Sequence, residues 1–549
     1  MGEIMATLKP ANENPWYVLM TLYGEQTGEV VDEELHNENR AAWNLVACQG
    51  LPKNERESLT GAGFDLPPCE DWQANEPAIR DRHATEMARR NKPGFPYPGF
   101  PGPGWNHYFN DVHFEAMFVA DKFLFGGLAS FESSQFDQSA SFEYAIFGFW
   151  AKFGQATFRE STNFMQSQFR GLADFDSATF KEVALFSGVL FGGVASFDSA
   201  IFGNWAQFSR TTFGKEATFV SAEFKSYSLF ENTAFCAMAN FESATMIGDA
   251  KFSNAMFSGN AGFAAATFGG AARFVAANFG GEAWFSNATF GKYADFGRAK
   301  FCGAAEFDST TFSEDVTFFA AKFSGYVYFP QATFGAAGKD HLVNFTDSEF
   351  QKPTIFRGAT FHCYPDFTGT ILHEKTTFTA DAKHWPKSVT NPEAAKASAA
   401  VVRYSLGKQG LPEEEHFFFR REMGFATRIG GFWPRLPYRL YGWLSDFGFS
   451  IQRPVWWLLG LWLGPAAAFY IQADLAQIWG AQAVHWLQPL TLAFANVFTF
   501  FGFQRLYIDG EYLEHLPGWL KLLGALQSMI ALPLLFFLGL GLRQRFRLR

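Results

Sequence analysis

ADFDSATFKEVALFSGVLF, residues 173–191, sets Phe at 175, 180, 186 and 191, in steps of five, six and five. The same alternation runs from Phe125 through Phe131, Phe136 and Phe142 to Phe334, with Met246 as its one substitution. After an insertion around Gly338 to Leu342 it resumes at Phe345, Phe350, Phe356, Phe361 and Phe367, fading at Leu372 and Phe378. Two positions before each Phe stands a small residue, as Ala173 before Phe175 and Ala178 before Phe180. Thr211, Ser228 and Val316 replace that Ala. The period is therefore eleven.

A right-handed helical coiled coil also repeats every eleven residues, with seam residues three and four apart. Steps of five and six would instead turn an α-helix by about 140° and 240°, scattering the rings around it. The Gly content would cost such a helix roughly 1 kcal/mol per residue relative to Ala. A straight strand fails as well, because a step of five flips each Phe to the opposite face. A chain that runs straight for three residues and then turns a corner satisfies the pattern. The small residue and the Phe then face inward together, and polar or tiny residues such as Asp137, Asp176, Lys181 and Gly269 face out. Four sides close a square coil of 22 residues, and residues 105–380 give about twelve coils at a spacing of roughly 4.8 Å. Buried rings, each worth roughly 1.5–3 kcal/mol, are the main source of cohesion.

ADFDSATF (173–180), AGFAAATFGGAARF (261–274) and AEFDSTTF (305–312) resemble the pentapeptide-repeat family in a Phe-centred form. The resemblance implies a mainly β fold, a right-handed quadrilateral β-helix. Its inward core includes Phe131, Phe136, Phe142, Phe175, Phe180, Phe263, Phe268, Phe274, Phe307 and Phe312. The regular sixth residue in alternate units departs from the family's uniform five.

Composition agrees with a repetitive or membrane-bound chain: of 549 residues 69 are Phe and 51 Gly, and charged residues make up 18%. An ordinary soluble domain is about a quarter charged. The net charge of −10 disfavours nucleic acid as a partner. Cys48, Cys69, Cys236, Cys302 and Cys363 form no CxxC pair, which argues against a disulfide scaffold or a cysteine-based zinc module. Cys236 and Cys302 fall three coils apart, too far to bridge. His362, His373 and His384 recur every eleven residues beside Cys363, and a solvated terminal coil is the expected reading. No Ser/His/Asp elbow, phosphate loop or HExxH motif is present. No catalytic residue, metal site or cofactor is expected, and the protein is read as no enzyme.

The chain divides into a non-repetitive cap region with a Pro/Gly-rich connector (1–104), the β-helix (105–380), a helical linker (381–453) and a membrane module (454–549). No secretory signal peptide is expected in MGEIMATLKPANENPW. NKPGFPYPGFPGPGW (91–105) reads as a rigid connector. In PEEEHFFFRREMGFATR, acids at 413–415 precede Arg420, Arg421 and Arg428, an order that suits a helix dipole. Residues 454–473 and 522–542 carry no charge and are long enough to span a hydrocarbon core of ~30 Å. Spans of about 454–473 and 520–542 are expected.

Arg435, Arg439 and Arg453 precede the first span, and Arg543, Arg545, Arg547 and Arg549 follow the second. Asp474, Asp509, Glu511 and Glu514 lie between. By the positive-inside rule both termini are cytoplasmic. Residues 475–504 carry no charge except a possible one on His485, and parity then makes residues 486–503, WLQPLTLAFANVFTFFGF, a re-entrant or interfacial helix. Span, re-entrant helix, span resembles the two-helix potassium-channel pore module, which some pentapeptide-repeat proteins carry. Thr499, Gly502, Phe503 and Gln504 stand where the filter would lie. Phe500 replaces its Thr and Gln504 its second Gly, so the module reads as degenerate.

The expected protein is a multi-pass bacterial inner-membrane one whose cytoplasmic β-helix is a scaffold or interaction surface. The lipid bilayer, an unidentified protein and further copies of the chain are its partners. An oligomeric, channel-like pore regulated by the β-helix is the alternative. Mimicry of DNA toward topoisomerases ranks third, on 27 acids against 18 bases in residues 105–380.

Overall fold

A computed structural model describes residues 8–28, 30–61, 64–68, 71–102, 106–475, 487–508 and 510–546. Cys69, His485, Trp486, Asp509, Arg547 and Arg549 lie outside the described residues. The chain falls into two compact units. One is Met1–Thr390 with Tyr404–Glu414, and the other is Asn391–Arg403 with Glu415–Arg549.

In the first unit the repeat forms a parallel β-solenoid of four sheets, two of 13 strands and two of 11. Strands pair with the coil 22 residues on, as Ala151 with Ala173 and Phe158 with Phe180. Backbone bonds join the coils, for example Phe175 N–H to Ser196 C=O at 2.7 Å. The insertion widens one corner, so Phe323 pairs with Phe350, 27 residues away, and the stack continues unbroken.

Two kinds of corner produce the five and six. At a five-residue step, Ala178 N–H donates to Phe175 C=O at 3.0 Å, and Ser177 between them has φ 58°. A left-handed residue recurs every eleven positions, through Gln155, Gln166, Ser177, Gly188, Ser199, Arg210 and Ser221. Such a conformation costs a non-Gly residue roughly 1–2 kcal/mol. Each is held by a bond to the next coil, as Ser177 N–H to Asp198 C=O at 2.8 Å. Six-residue corners stay right-handed but crowd the coil before: a Cβ on Gly281 would collide with the backbone of Gly259.

The bore is filled by rings. Phe175 stacks on Phe197 with centroids 4.8 Å apart and planes 1° apart, and Phe164 meets Phe175 edge-on at 5.5 Å and 87°. The strand repeat of roughly 4.8 Å fixes that first spacing, so rings of one column tilt and offset to stay in contact. Met246 fills the column position between Phe224 and Phe268 and is fully buried.

Among the described residues four α-helices precede the solenoid: α1 (Pro15–Met20), α2 (Glu33–Ala47), α3 (Lys53–Gly61) and α4 (Asp71–Arg90). The first coil leaves strand groups unpaired, and α2 satisfies them. Asn44 Oδ1 accepts from Leu124 N–H at 2.9 Å, its Nδ2 donates to Lys122 C=O at 3.0 Å, and Trp43 Nε1 donates to Leu124 C=O at 2.7 Å. The Phe pattern is altered there to meet α2. Ala120 and Phe123 stand one coil before Phe142 and Ala145, and Phe123 stacks on Trp43 at 5.6 Å. Lys9–Pro10 adds a strand to the same end. At the other end Trp385 stacks on Phe361 at 4.9 Å.

Among the described residues eight helices follow: α5 (Pro392–Lys408), α6 (Pro412–Ala426), α7 (Phe432–Ser445), α8 (Gln452–Leu475), α9 (Gln488–Val497), α10 (Phe503–Tyr507), α11 (Gly510–His515) and α12 (Gly518–Phe546). The dipole expectation for α6 is corrected. The helix ends at Ala426, so Arg428 lies beyond it and no base occupies its last turn. Arg420 instead pairs with Asp446 at 2.5 Å.

Candidate functional site

Phe131, Phe136, Phe142, Phe175, Phe180, Phe263, Phe268, Phe274, Phe307 and Phe312 are each at most 1% exposed. Their rings fill the bore, so whatever the solenoid binds meets its outer surface.

On that surface many carboxylates serve the backbone. Asp198 Oδ1 accepts from Thr218 Oγ1 at 2.6 Å and from Val220 N–H at 2.8 Å, both one coil on. Asp176 holds Ser196 Oγ and Asp198 N–H in the same way. Arg159, Lys152 and Arg273 pair with Asp137, Glu132 and Asp249. Burial raises the pKa of Asp174, Glu306 and Asp308, and Asp308 and Glu282 add to the shift at Glu306. Acids that satisfy inter-coil amides or face bases form a structural ladder and contribute little to a free anionic surface.

Two six-residue corners carry apolar residues into solvent. Phe149 and Trp150 stack at 5.3 Å and are 52% and 46% exposed. Trp205 and Tyr227, at 6.3 Å, mark another corner. Singly exposed apolar residues are ordinary, but grouped aromatics of this kind mark contact surfaces. The repeat reading passed over them because a position two or three after Phe falls outside its pattern.

A family model described as pentapeptide repeats (9 copies) matches residues 153–201, 175–223 and 252–300. This chain carries pentapeptide repeats. Comparison with curated proteins and with solved structures found no match. The 22-residue coil of this pentapeptide-repeat protein is the consequence of its alternating corners.

Cys236 and Cys302 are free and exposed, Cys363 is free and buried, and Cys48 is buried. His384 Nδ1 lies 3.1 Å from Thr360 Oγ1, and His373 Nδ1 accepts from Lys375 N–H at 3.1 Å. Among the described residues no three of His, Cys, Asp and Glu gather to hold a metal.

In the second unit, Gln452–Gln472 and Gly518–Gln544 are long and apolar enough to cross a membrane. Pro465 and Pro533 lie inside these helices. α9 packs against both α8 and α12. Polar groups lie at the centre of the three. Gln527 Nε2 donates to Leu461 C=O at 2.9 Å and Ala493 C=O at 2.7 Å, and its Oε1 accepts from Asn496 Nδ2 at 3.1 Å. Gln504 Nε2 completes the network on Asn496 Oδ1.

The filter-like residues take local turns. Thr499 opens a 3-10 turn and donates through Oγ1 to Asn496 C=O at 2.8 Å. Gly502 is left-handed with φ 66°, and Phe503 and Gln504 begin α10. The Thr499 and Gly502 carbonyls accept from Gly502 and Arg505 N–H at 3.3 and 3.1 Å. An ion-coordinating filter needs rows of carbonyls turned to the ion, and these two are engaged in turns.

Proposed function

We propose that this pentapeptide-repeat protein is a scaffold anchored in a bilayer by α8 and α12, with its solenoid in the cytoplasm as the interaction surface. One observation carries the reading: the solenoid keeps apolar side chains inside, while the helical unit keeps Gln527 and Asn496 inside and Trp456, Met529 and Phe536 outside. Of the best apolar windows in α8 and α12, 28% and 17% are buried, where the core helix of a water-soluble protein is mostly buried. The basic ends of the spans support cytoplasmic termini. A solenoid filled by rings offers its corners to a protein partner. The test is recovery of membrane-extracted partners with the full chain and with Phe149→Ser/Trp150→Ser. Loss of a partner at unchanged thermal stability is expected, and equal recovery removes this corner as the surface.

A second reading, an oligomeric pore regulated by the solenoid, draws on α9. Its ten residues reach ~15 Å, half of a hydrocarbon core, as a re-entrant helix would. Single-channel current from purified oligomer in planar bilayers supports it, and monomeric protein without current removes it.

A further inference from the structure

α7 carries an apolar face that its own unit leaves largely exposed. Phe432, Trp433, Leu440 and Trp443 are exposed, Trp433 at 76%. With Leu436 they fall on one side of the helix at steps near three and four, and Arg435 and Arg439 flank that side. The helix is nevertheless firmly seated. Trp443 meets Trp457 of α8 at 4.3 Å, and Tyr441 meets Phe537 of α12 at 5.4 Å. Arg453 Nη1 donates to Gly442 C=O at 2.8 Å. Asp446, Phe447 and Gly448, with φ of 52°, 57° and 81°, then reverse the chain into α8. α7 thus sits where one apolar helix begins and the other ends.

Charge at this end is one-sided. Asp446 is engaged by Arg420 at 2.5 Å and Arg453 at 3.8 Å. Arg428, Arg435 and Arg439 face no carboxylate among the described residues, and the buried Nε of Arg435 makes no hydrogen bond. A helix with Trp and Leu on one side and Arg at its flank matches the boundary between acyl chains and headgroups. Unpaired guanidiniums there match phosphate, each worth about a few-fold in affinity for an anionic surface.

We propose that α7 lies in the headgroup layer of the bilayer crossed by α8 and α12, and that Arg435 and Arg439 bind the phosphates of anionic phospholipids. The proposal rests on the membrane reading above. It is tested on the full chain reconstituted in phosphatidylcholine vesicles, with spin-labelled phosphatidylglycerol and spin-labelled phosphatidylcholine as probes. Wild type restricts phosphatidylglycerol preferentially. Arg435→Gln/Arg439→Gln lowers that preference about threefold or more, Arg435→Lys/Arg439→Lys keeps most of it, and Lys521→Gln, at the other end of α12, leaves it unchanged. Equal restriction of the two probes by wild type, or a preference untouched in the Gln variant, overturns the assignment of α7. Restriction of neither probe overturns the anchor itself, and the two failures are thereby distinguished.

Discussion

Phe219 and Gln527 are both buried to within 1% of complete, for opposite reasons. Phe219 stacks between Phe197 and Phe241 at 4.9 and 4.7 Å, withdrawn from water at the centre of a coil. Gln527 is enclosed by helices whose outer faces carry Met529 and Phe536, and it bridges them through Leu461, Ala493 and Asn496. In water, burial of apolar area drives assembly. Among lipid tails that drive vanishes between helices, and packing and polar bonds hold them. On the proposed membrane reading the solenoid and the helical unit meet different solvents, and each can be challenged on its own terms.

The largest effect is expected from Phe219→Ala. Removing a ring from a column leaves a cavity worth about 3–5 kcal/mol. Hydrogen exchange should accelerate in the coils around residues 197–241, with the helical unit unchanged. Uniform exchange across both units would break the contrast.

Met529→Arg attacks the other side. An Arg facing hydrocarbon costs about 2.5–3.5 kcal/mol in helix insertion. Carbonate extraction should release more protein, whereas a charge at exposed Trp205 in the solenoid should not alter membrane recovery. Full retention of Met529→Arg would mean that α12 meets water.

Acid should loosen the solenoid's first end before its centre. His107 is fully buried against Trp16 and Trp43, and burial depresses its pKa to about 4. Burial also lowers His36 and His83. Between about 6.5 and 4 the unfolded chain takes up a proton that folded His107 refuses. Stability is therefore full above that window and falls by up to about 3 kcal/mol across it. Asp121, raised by burial, works in the opposite direction. Exchange near residues 107–125 followed from pH 7 to 4.5 checks this, and His107→Gln should flatten the response.

Met246→Phe is the smallest and the most telling. It restores the ring between Phe224 and Phe268 and should raise the melting temperature, with a gain of about 0.5–1.5 kcal/mol. A loss would mean that the column has relaxed around Met.

Much of the solenoid was legible because each coil is a local solution: Ala173, Phe175, Ala178 and Phe180 bury themselves against the same residues 22 positions away. The left-handed corners were not. Tyr144, Gln166 and Arg210 adopt φ of 55–59° without the Gly that announces such a turn, because bonds to the neighbouring coil impose it. Nor was the cap's detail, since Asn44 serves Leu124 across 80 residues with no periodicity between them. In the helical unit, length and apolarity identified α8 and α12. The Asn496–Gln504–Gln527 network joins single polar residues that look alike in any sequence.

By itself the sequence determined the period, the inward rings, the four-sided coil and two apolar helices, because these follow from spacing and composition. The tertiary structure alone decided how the ends of the strands are closed, where a five-residue corner turns left-handed, and which polar groups meet between α8, α9 and α12. Those outcomes depend on hydrogen-bonding groups brought together from distant positions, and partners at such separations leave no repeat to read.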